Sequence, residues 1–583
     1  MLPNCTLCRP ARGGKAHKSQ RLNWTRSRLH RWLEGERAQL WSDLPQYKQP
    51  KYKQQSEEAA KKYRQDKCID LTSEGGLSQA CRSLISPPPL NHTADIISRL
   101  TNKHPRAEHP VDLSEFGNSS SALVPNIEVD LIEQCIRSFH RLSGGGPSGL
   151  RPVHLKNCLF TEHRDEVLER CCALVNILAK GEAPETLAPF LAGATLTALP
   201  KKDNDIRPVA VGEMWRRLTA KCLCNSYKEQ ARSYFFPLQI GVAQPLGTEV
   251  GLETTRQWYN RNKGNLSAIL VKVDFSNAFN CVDRQAFLVQ CRHHFPGLSR
   301  WAEWCYGQPS KLYFGGATIP SENGVQQGDP IGPLLFALAL QPVLQELHNG
   351  RSEKGLELVL SYLDDLILAG EQGEVAGAFH FLKTAASKIG LKFNVSKCEV
   401  IPAAGQFSAG NESLFPSNIT FLKDGNFELL GGPIGTEVFC NQHTQNRVDK
   451  ASELLLALGE LPDPQVALTL LRHCVSFGKL VYSLRVVPHY KHQVALRNYD
   501  NSVRDCIESF LCCSFTDSEW SLANLATKMG GLGLRSVESH GSAAFLSSQA
   551  SCHELCARLD PKYKWNTGEM NTDCYATLHD YNT

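Results

Sequence analysis

No stretch of this 583-residue chain reaches the roughly 18 consecutive apolar residues that a membrane span needs. The longest candidate, Ile331 to Leu344, is interrupted by Gly332, Pro333 and Pro342. The opening residues, MLPNCTLCRPARGGK, lack the apolar core of a secretory signal. No internal repeat recurs at solenoid periods. A large net charge is missing too, since the formal balance is only +4. Membrane-spanning, secreted and repeat-built classes fall away. What is left is globular composition, 42% hydrophobic and 21% charged, in a length that suits about four domains or subdomains of roughly 150 residues.

The small net charge hides an uneven distribution. Residues 1 to 70 hold 16 Lys or Arg against 7 Asp or Glu, a net +9, so the remainder carries −5. A basic arm on a near-neutral body fits a polyanionic partner, because each cation placed on a phosphate releases a counterion. Charge alone leaves a solvated tail as an equal alternative. The 22 cysteines, with no signal peptide, point to reduced thiols rather than a disulfide framework. Cys5 and Cys8 form one C-x2-C, which supplies only half of a zinc site; His17 and His30 do not complete it at finger-like spacing. Zinc at Cys5/Cys8 stays an open reading beside fortuitous thiols, and Cys552, His553 and Cys556 are a weaker trio.

Along the chain, Arg26 to Lys67 is polar and helix-permissive, divided at Pro45 and Pro50, and Thr93 to Leu100 reads as a short helix. The dense turn GGGPSGLRP, Gly144 to Pro152, marks entry into a new unit. Ala194 to Leu199 is strand-like, and AILVKVDF, residues 268 to 275, reads as a buried strand running into an acidic end. Residues 330 to 347 predict a helix with proline in its first turn. ELVLSYLDDLILA, residues 357 to 369, predicts two short strands joined at the two aspartates, and GAFHFLKTAASKIGLKFN a helix followed by a strand. Past Gly435 the pattern turns helical, with Ala467, Leu470, Leu471 and Cys474 forming an apolar stripe at i, i+3, i+4 and i+7.

The chemistry concentrates at two acidic positions on separate apolar strands. Asp274 ends VKVD, and Asp364 with Asp365 occupies the bend of SYLDDLIL. Ionised carboxylates set in apolar strands lose hydration, and neighbouring aspartates repel each other. A divalent cation offsets both costs, and oxygen-only donors suit magnesium. Taken alone, an Asp-Asp pair is more simply a turn.

The surrounding residues change that balance. The segment D-F-S-N-A-F, Asp274 to Phe279, resembles the first palm motif of the reverse transcriptases, and Y-L-D-D, Tyr362 to Asp365, resembles their Y/F-x-D-D hairpin. NGVQQGDPIGPLLFALAL between them is similar to the family's glycine- and glutamine-bearing loop before a long helix. GLKFNVSKCE, Gly390 to Glu399, and LLGGPIG, Leu429 to Gly435, resemble the fourth palm motif and the primer grip. Upstream, GGGPSGLRPVHLK and LPKKDNDIRPVAVGEMWRRLTAK resemble finger elements. Downstream, LPDPQVALTLLRHCVSFGKLVYSLRVVP looks like a helical thumb, with KMGGLGLRS beyond it. The likeness runs over roughly residues 80 to 545 and is closest to the non-LTR (LINE-type) retrotransposon branch. That branch usually carries F-A-D-D where this chain has Y-L-D-D.

The resemblance implies an α+β right-hand polymerase: fingers, a palm with an antiparallel sheet backed by helices, and a helical thumb, plus a basic, mainly helical N-terminal extension. The expected divisions are 1–125 for the extension, partly helical or disordered, 126–435 for fingers and palm, 436–545 for thumb and connection, and 546–583 for a tail. Asp274, Asp364 and Asp365 would be catalytic and would hold two Mg2+ ions, with Mn2+ as a substitute, aided by the backbone carbonyl of Phe275. Arg207 and Lys201, with Lys202, would clamp the nucleotide triphosphate, Arg as a fork and Lys as a point charge. Phe279 would sit under the sugar and exclude a 2′-hydroxyl; ordinary core packing is its alternative. Gln327 and Gly328 would approach nucleotide and template, and Lys397 would donate a proton to pyrophosphate. Gly431, Gly432, Pro433, Ile434 and Gly435 would grip the primer.

The implied activity is RNA-directed DNA polymerisation, with an RNA template, a DNA primer and dNTPs as partners and no membrane. A truncated relic that only binds nucleic acid is the alternative. The flanks leave too little room for an endonuclease or ribonuclease H domain, so a separate endonuclease activity is expected. An intracellular site is expected, nucleus before cytoplasm.

Overall fold

The computed structural model describes residues 2–7, 17–43, 56–117, 120–201, 204–349, 356–406, 411–565 and 572–582. Cys8, Pro45, Pro50 and Lys202 lie outside the described residues, and with Cys8 goes the C-x2-C reading. The chain divides into two compact units. One comprises Met1–Gln55, Pro88–Glu229 and Asn277–Ala339; the other comprises Ser56–Pro87, Gln230–Ser276 and Leu340–Thr583.

In the first unit, β1 (Ala194–Pro200) and β2 (Ile206–Gly212) form an antiparallel hairpin in which Leu199 faces Arg207. The strands β4 (Ser310–Phe314) and β5 (Ala317–Ser321) extend it to a four-stranded sheet of order β2-β1-β4-β5, with β1 and β4 parallel. Burial along β1 alternates with period two, so Ala194, Leu196 and Ala198 meet Ile206, Ala210 and Leu312 on one face. Ile96 and Leu100 cover that face from the helix Ala94–Lys103, whose first turn is capped by the Thr93 hydroxyl on the Ile96 amide.

In the second unit, β3 (Ala268–Val273) lies between β7 (Asp365–Glu371) and β8 (Glu399–Pro402) and is antiparallel to both. The strands β6 (Leu358–Tyr362) and β9 (Thr420–Phe421) complete the order β6-β7-β3-β8-β9. Ile269, Leu270 and Val271 are fully buried, which explains why β3 reads as a continuous apolar run. Leu270, Leu360 and Ile367 share a core with Leu252 and Trp258 of the helix Gly247–Arg261. From the helix Gln372–Lys388, Phe379 packs edge-on against Phe393 and Phe415. A short hairpin, β10 (Phe427–Leu429) with β11 (Gly432–Ile434), follows. This mixed α+β organisation, a sheet antiparallel except for the β8–β9 edge and backed by helices, with a helical C-terminal part, is the one expected of a polymerase palm and thumb.

The helices Glu437–Gly459 and Gln493–Leu511 build the C-terminal core around Leu454, Leu458, Tyr499 and Ile507. Cys68, Cys81 and Leu84 belong to the same core, supplied by the helices Glu57–Ser73 and Leu77–Ile85. Part of the basic N-terminal stretch is thus structural material of the second unit. Every described cysteine is free, in keeping with reduced thiols. Among the described residues, no helix is long and apolar enough to cross a membrane.

One local expectation needs correcting. The strand expected after the helix ending near Lys388 shrinks to a single bridge, Phe393 with Phe275, because Gly390 turns the chain at φ +78 and a 3-10 turn, Val395–Lys397, follows at once. The stripe through Cys474 faces the C-terminal core: Ala467, Leu470 and Leu471 are fully buried and Cys474 is partly buried against them, while the helix Pro464–Leu470 continues as a π turn, Leu471–Val475, in which Val475 is buried too.

Candidate active site

Strand register brings the sequence-separated aspartates together. Val273 pairs with Leu366, so the next step along the β3–β7 ladder sets Asp274 across from Asp365. Tyr362 and Asp365 close the β6–β7 hairpin, leaving Leu363 and Asp364 at its tip. The two aspartates therefore do different jobs locally: Asp364 makes the turn, and Asp365 opens the second strand. Asp274 and Asp365 line a cleft of about 420 Å³ with Lys272, Lys397, Glu399, Glu428 and Gly431. Its floor is the sheet and its rim is the β10–β11 turn.

The electrostatics of this cleft are unbalanced toward negative charge. Partial burial in the cleft wall, then Asp364 and Asp274, push the Asp365 carboxyl up to about 6, with Lys272 pulling against them. Asp365 as a residue remains open to solvent, so water screens part of this repulsion. Lys272 is engaged elsewhere, donating to Glu399 Oε2 at 2.5 Å and to the Glu428 carbonyl at 2.6 Å. Asp274 is held by its backbone: its carbonyl accepts from the Asn394 amide at 2.8 Å, and its amide faces Cys398 Sγ at 3.4 Å. The bonds flanking the Phe275–Phe393 bridge use the Asp274 carbonyl and the Ser276 amide, so the Phe275 carbonyl takes no part in it. The donor set is oxygen-rich and suits a hard cation. Among the described residues, no three His, Cys, Asp or Glu side chains already stand as a metal cage.

The primer-grip candidates form the β10–β11 turn and its second strand. Leu430 and Gly431 both have positive φ, +47 and +76, the pair of values a tight two-residue hairpin turn requires. Tyr482 donates to the Leu430 carbonyl at 2.8 Å, and Arg447 donates to the Gly431 carbonyl. Gly432, Pro433 and Ile434 are buried, whereas Gly431 and Gly435 are half-open. Lys397 is exposed and lines the cleft beside Asp274.

The nucleotide-binding candidates lie in the first unit. Arg207 is exposed on β2, and Lys201 is exposed where the hairpin turns, its amide donating to the Asp205 carbonyl. The Gln327 carbonyl accepts from the Ala210 amide at 2.9 Å, which ties the Gln327–Gly328 turn to the strand that carries Arg207. Gly328 has φ +128, and a Cβ there would meet the Ala210 carbonyl oxygen at 2.3 Å. Only glycine fits that approach. Phe279, half-buried in the short helix Ala278–Cys281, stacks on Phe336 with centroids 4.8 Å apart and planes 6° apart.

Sequence reasoning missed the residues that brace these groups. Lys272 was legible as a lone charge inside the apolar run that ends at Asp274. Gln239 was legible as a lone amide in FPLQIGV; it is fully buried and bonded to the Tyr362–Asp365 turn. Arg216 and Asp329, both buried, carried no such signal because their partnership spans over a hundred residues.

Residues 199–432 match the family described as reverse transcriptase (RNA-dependent DNA polymerase). The chain is 23% identical over 418 residues to the retrotransposable element SLACS 132 kDa protein of Trypanosoma brucei gambiense, covering 70% of this chain and 34% of that protein. It is 25% identical over 298 residues to the retrovirus-related Pol polyprotein from type-1 retrotransposable element R2 of Nasonia vitripennis, covering 48% of this chain and 27% of that one. The chain thus spans about a third or less of the length of these relatives. Among solved structures, apo telomerase of Candida tropicalis aligns at TM-score 0.31 and 12% identity, covering 43% of this chain and 54% of that chain. Telomerase of Candida albicans, solved with a fragment of telomeric RNA, aligns at 0.32 and 10%, covering 66% and 68%. Residues 199–432 thus match a reverse transcriptase domain, and the relatives found by sequence are proteins of retrotransposable elements.

Proposed function

We propose that the chain is an RNA-directed DNA polymerase that extends a DNA primer along an RNA template. The observation that carries this reading is the juxtaposition of Asp274 and Asp365, with Asp364 beside them, in a cleft whose carboxylates repel one another. Reverse transcriptase domains generally use divalent metal ions. Here Asp274, Asp364, Asp365 and the Phe275 carbonyl would hold two Mg2+ ions, with Mn2+ as a substitute. When bound, such ions favour deprotonation of an attacking 3′-hydroxyl and neutralise charge on departing pyrophosphate.

The remaining work falls to side chains. Arg207 offers a fork for triphosphate oxygens and Lys201 a mobile point charge. Both are exposed and therefore free to engage a ligand of that size. Lys397 would return a proton to pyrophosphate. The Phe279 ring, fixed by its stack on Phe336, would exclude a ribose 2′-hydroxyl. The turn at Leu430 and Gly431, with the strand through Gly435, would bear on the primer backbone. Catalysis of this kind is mostly positioning and charge compensation.

The test is primer extension on poly(rA)–oligo(dT) with dTTP and Mg2+, comparing the parent with Asp364→Ala. Incorporation by the parent that the substitution abolishes, with hybrid binding kept, is the expected result. A folded parent that binds the hybrid and incorporates nothing would instead be a nucleic-acid-binding relic.

A further inference from the structure

The hairpin that presents Asp364 and Asp365 contains an unfavourable residue. Leu363, at its tip, has φ +57, in the left-handed region that a branched side chain avoids. Such a conformation persists only where its surroundings over-determine it. The surroundings here are chiefly two side chains, Gln239 and Ser361. Gln239 is fully buried, and its Oε1 accepts from the Leu363 amide at 2.7 Å and from the Gly241 amide at 2.9 Å. Its Nε2 donates to Ser361 Oγ at 2.9 Å and to the Leu363 carbonyl at 3.3 Å. The Ser361 hydroxyl donates to that same carbonyl at 2.7 Å.

The backbone around Gln239 is locked to the hairpin as well. The Ile240 amide donates to the Ser361 carbonyl, and the Ser361 amide to the Leu238 carbonyl, both at 2.8 Å. Residues 238 to 240 thus pair as a parallel edge on β6 beside the turn. A Cβ on Gly241 would meet the Leu363 amide nitrogen at 2.8 Å, so the segment lies against the turn with no space to spare. Both polar groups of the Leu363 peptide flanks are held, and both ends of the Gln239 amide are used.

We propose that Gln239 is a positioning residue: by fixing both backbone groups of Leu363 it sets the hairpin tip from which Asp364 and Asp365 project. This rests on the polymerase reading above. Gln239 does not touch the reacting atoms, and its effect reaches them through the turn. Loss of the amide leaves the Leu363 N–H without its acceptor and its carbonyl held by Ser361 alone, and the two aspartates then sample other directions.

The experiment uses the full chain as parent, Gln239→Met, which keeps the volume and removes the amide, and Ser361→Ala, which removes only the hydroxyl link. Hydrogen exchange is followed on peptides spanning 358–366 and 268–274, with primer extension on poly(rA)–oligo(dT) at varied dTTP and Mg2+. In Gln239→Met, exchange at Leu363 should quicken at least tenfold while β3 keeps its protection. Its kcat should fall at least tenfold with the KM for dTTP changed less than threefold, and half-maximal activity should need more Mg2+. Ser361→Ala should move the same quantities in the same direction by a smaller factor. Unchanged Leu363 exchange and kcat in Gln239→Met overturns the proposal. So does loss of protection across β3, β6 and β7 alike in both variants, which would make Gln239 a support of the whole sheet. A parent that incorporates nothing overturns the polymerase reading instead, and the exchange data then decide the role of Gln239 by themselves.

Discussion

Arg216 and Asp329 form an ion pair with both side chains 1% exposed, Nη2 to Oδ2 at 2.7 Å, beneath the Gln327–Gly328 turn. Tyr306 donates to the same carboxylate oxygen at 2.7 Å, and Arg216 also donates to Gln326 Oε1 at 2.7 Å. This network ties the helix Met214–Ser226 to the loop proposed to meet the nucleotide. Removing one member strands a buried charge, which costs about 3–5 kcal/mol. Asp329→Asn should therefore lower the urea midpoint strongly. Arg216→Met combined with Asp329→Leu should recover part of the loss, since no lone charge remains. A double variant as unstable as the single one would count against this account.

Asp365 sits in a different balance. Its folded-state carboxyl is raised to about 6 against an unfolded value near 3.9, so the native state binds the extra proton between those values. Stability from this group is present below about pH 4 and is lost as pH rises through 6. Asp365→Asn should thus stabilise the metal-free protein at pH 7, by about 1 kcal/mol after allowing for solvent screening, while abolishing incorporation. Adding Mg2+ should raise the melting temperature of the parent more than that of the variant, and chelation should reverse the difference.

The stack of Phe279 on Phe336 gives a specificity test. Phe279→Val removes the ring face and leaves a small apolar residue. Ribonucleotide use relative to deoxynucleotide use should rise at least about tenfold, the lower bound for a methylene-sized difference in an apolar pocket. An unchanged ratio would make Phe279 a packing residue only.

His492 supplies a pH dependence remote from the cleft. It is fully buried, its Nδ1 lies 3.0 Å from Thr444 Oγ1, and burial, then the neighbouring His489, pushes its pKa down to about 3. The unfolded chain protonates near 6.5, so between those values the unfolded state binds more protons. Stability falls as pH drops through that window, by about 2 kcal/mol between pH 7 and 5 from this group. His492→Gln should flatten that acid limb in urea titrations at the two pH values. Equal slopes for parent and variant would remove His492 from the explanation.

Much of the architecture was legible because it is local. β3 announced itself as an apolar run ending in Asp274, and the Tyr362–Asp365 bend as two apolar strands about a polar pair. The strand Ala194–Pro200 follows from its apolar, strand-like run, and the helix Gly332–Asn349 from proline in a first turn. What escaped is non-local or irregular. The helix ending at Leu470 winds on as a π turn, Leu471–Val475, a change of winding that the apolar stripe through it does not foretell. Gln239 reads as a stray polar residue until Leu363, 124 positions later, is seen to need it. The residue types of the candidate site were thus visible, whereas the groups that aim them were not.

The two N-terminal helices that complete the C-terminal core impose an order on biosynthesis. Cys68, Cys81 and Leu84 leave the ribosome several hundred residues ahead of Leu454 and Leu458, the side chains that enclose them. At about 5–20 residues per second, their apolar faces wait tens of seconds for a partner surface. This core cannot close until Leu454 and Leu458 have emerged, so the nascent chain passes that interval with the apolar face of its helical hairpin uncovered.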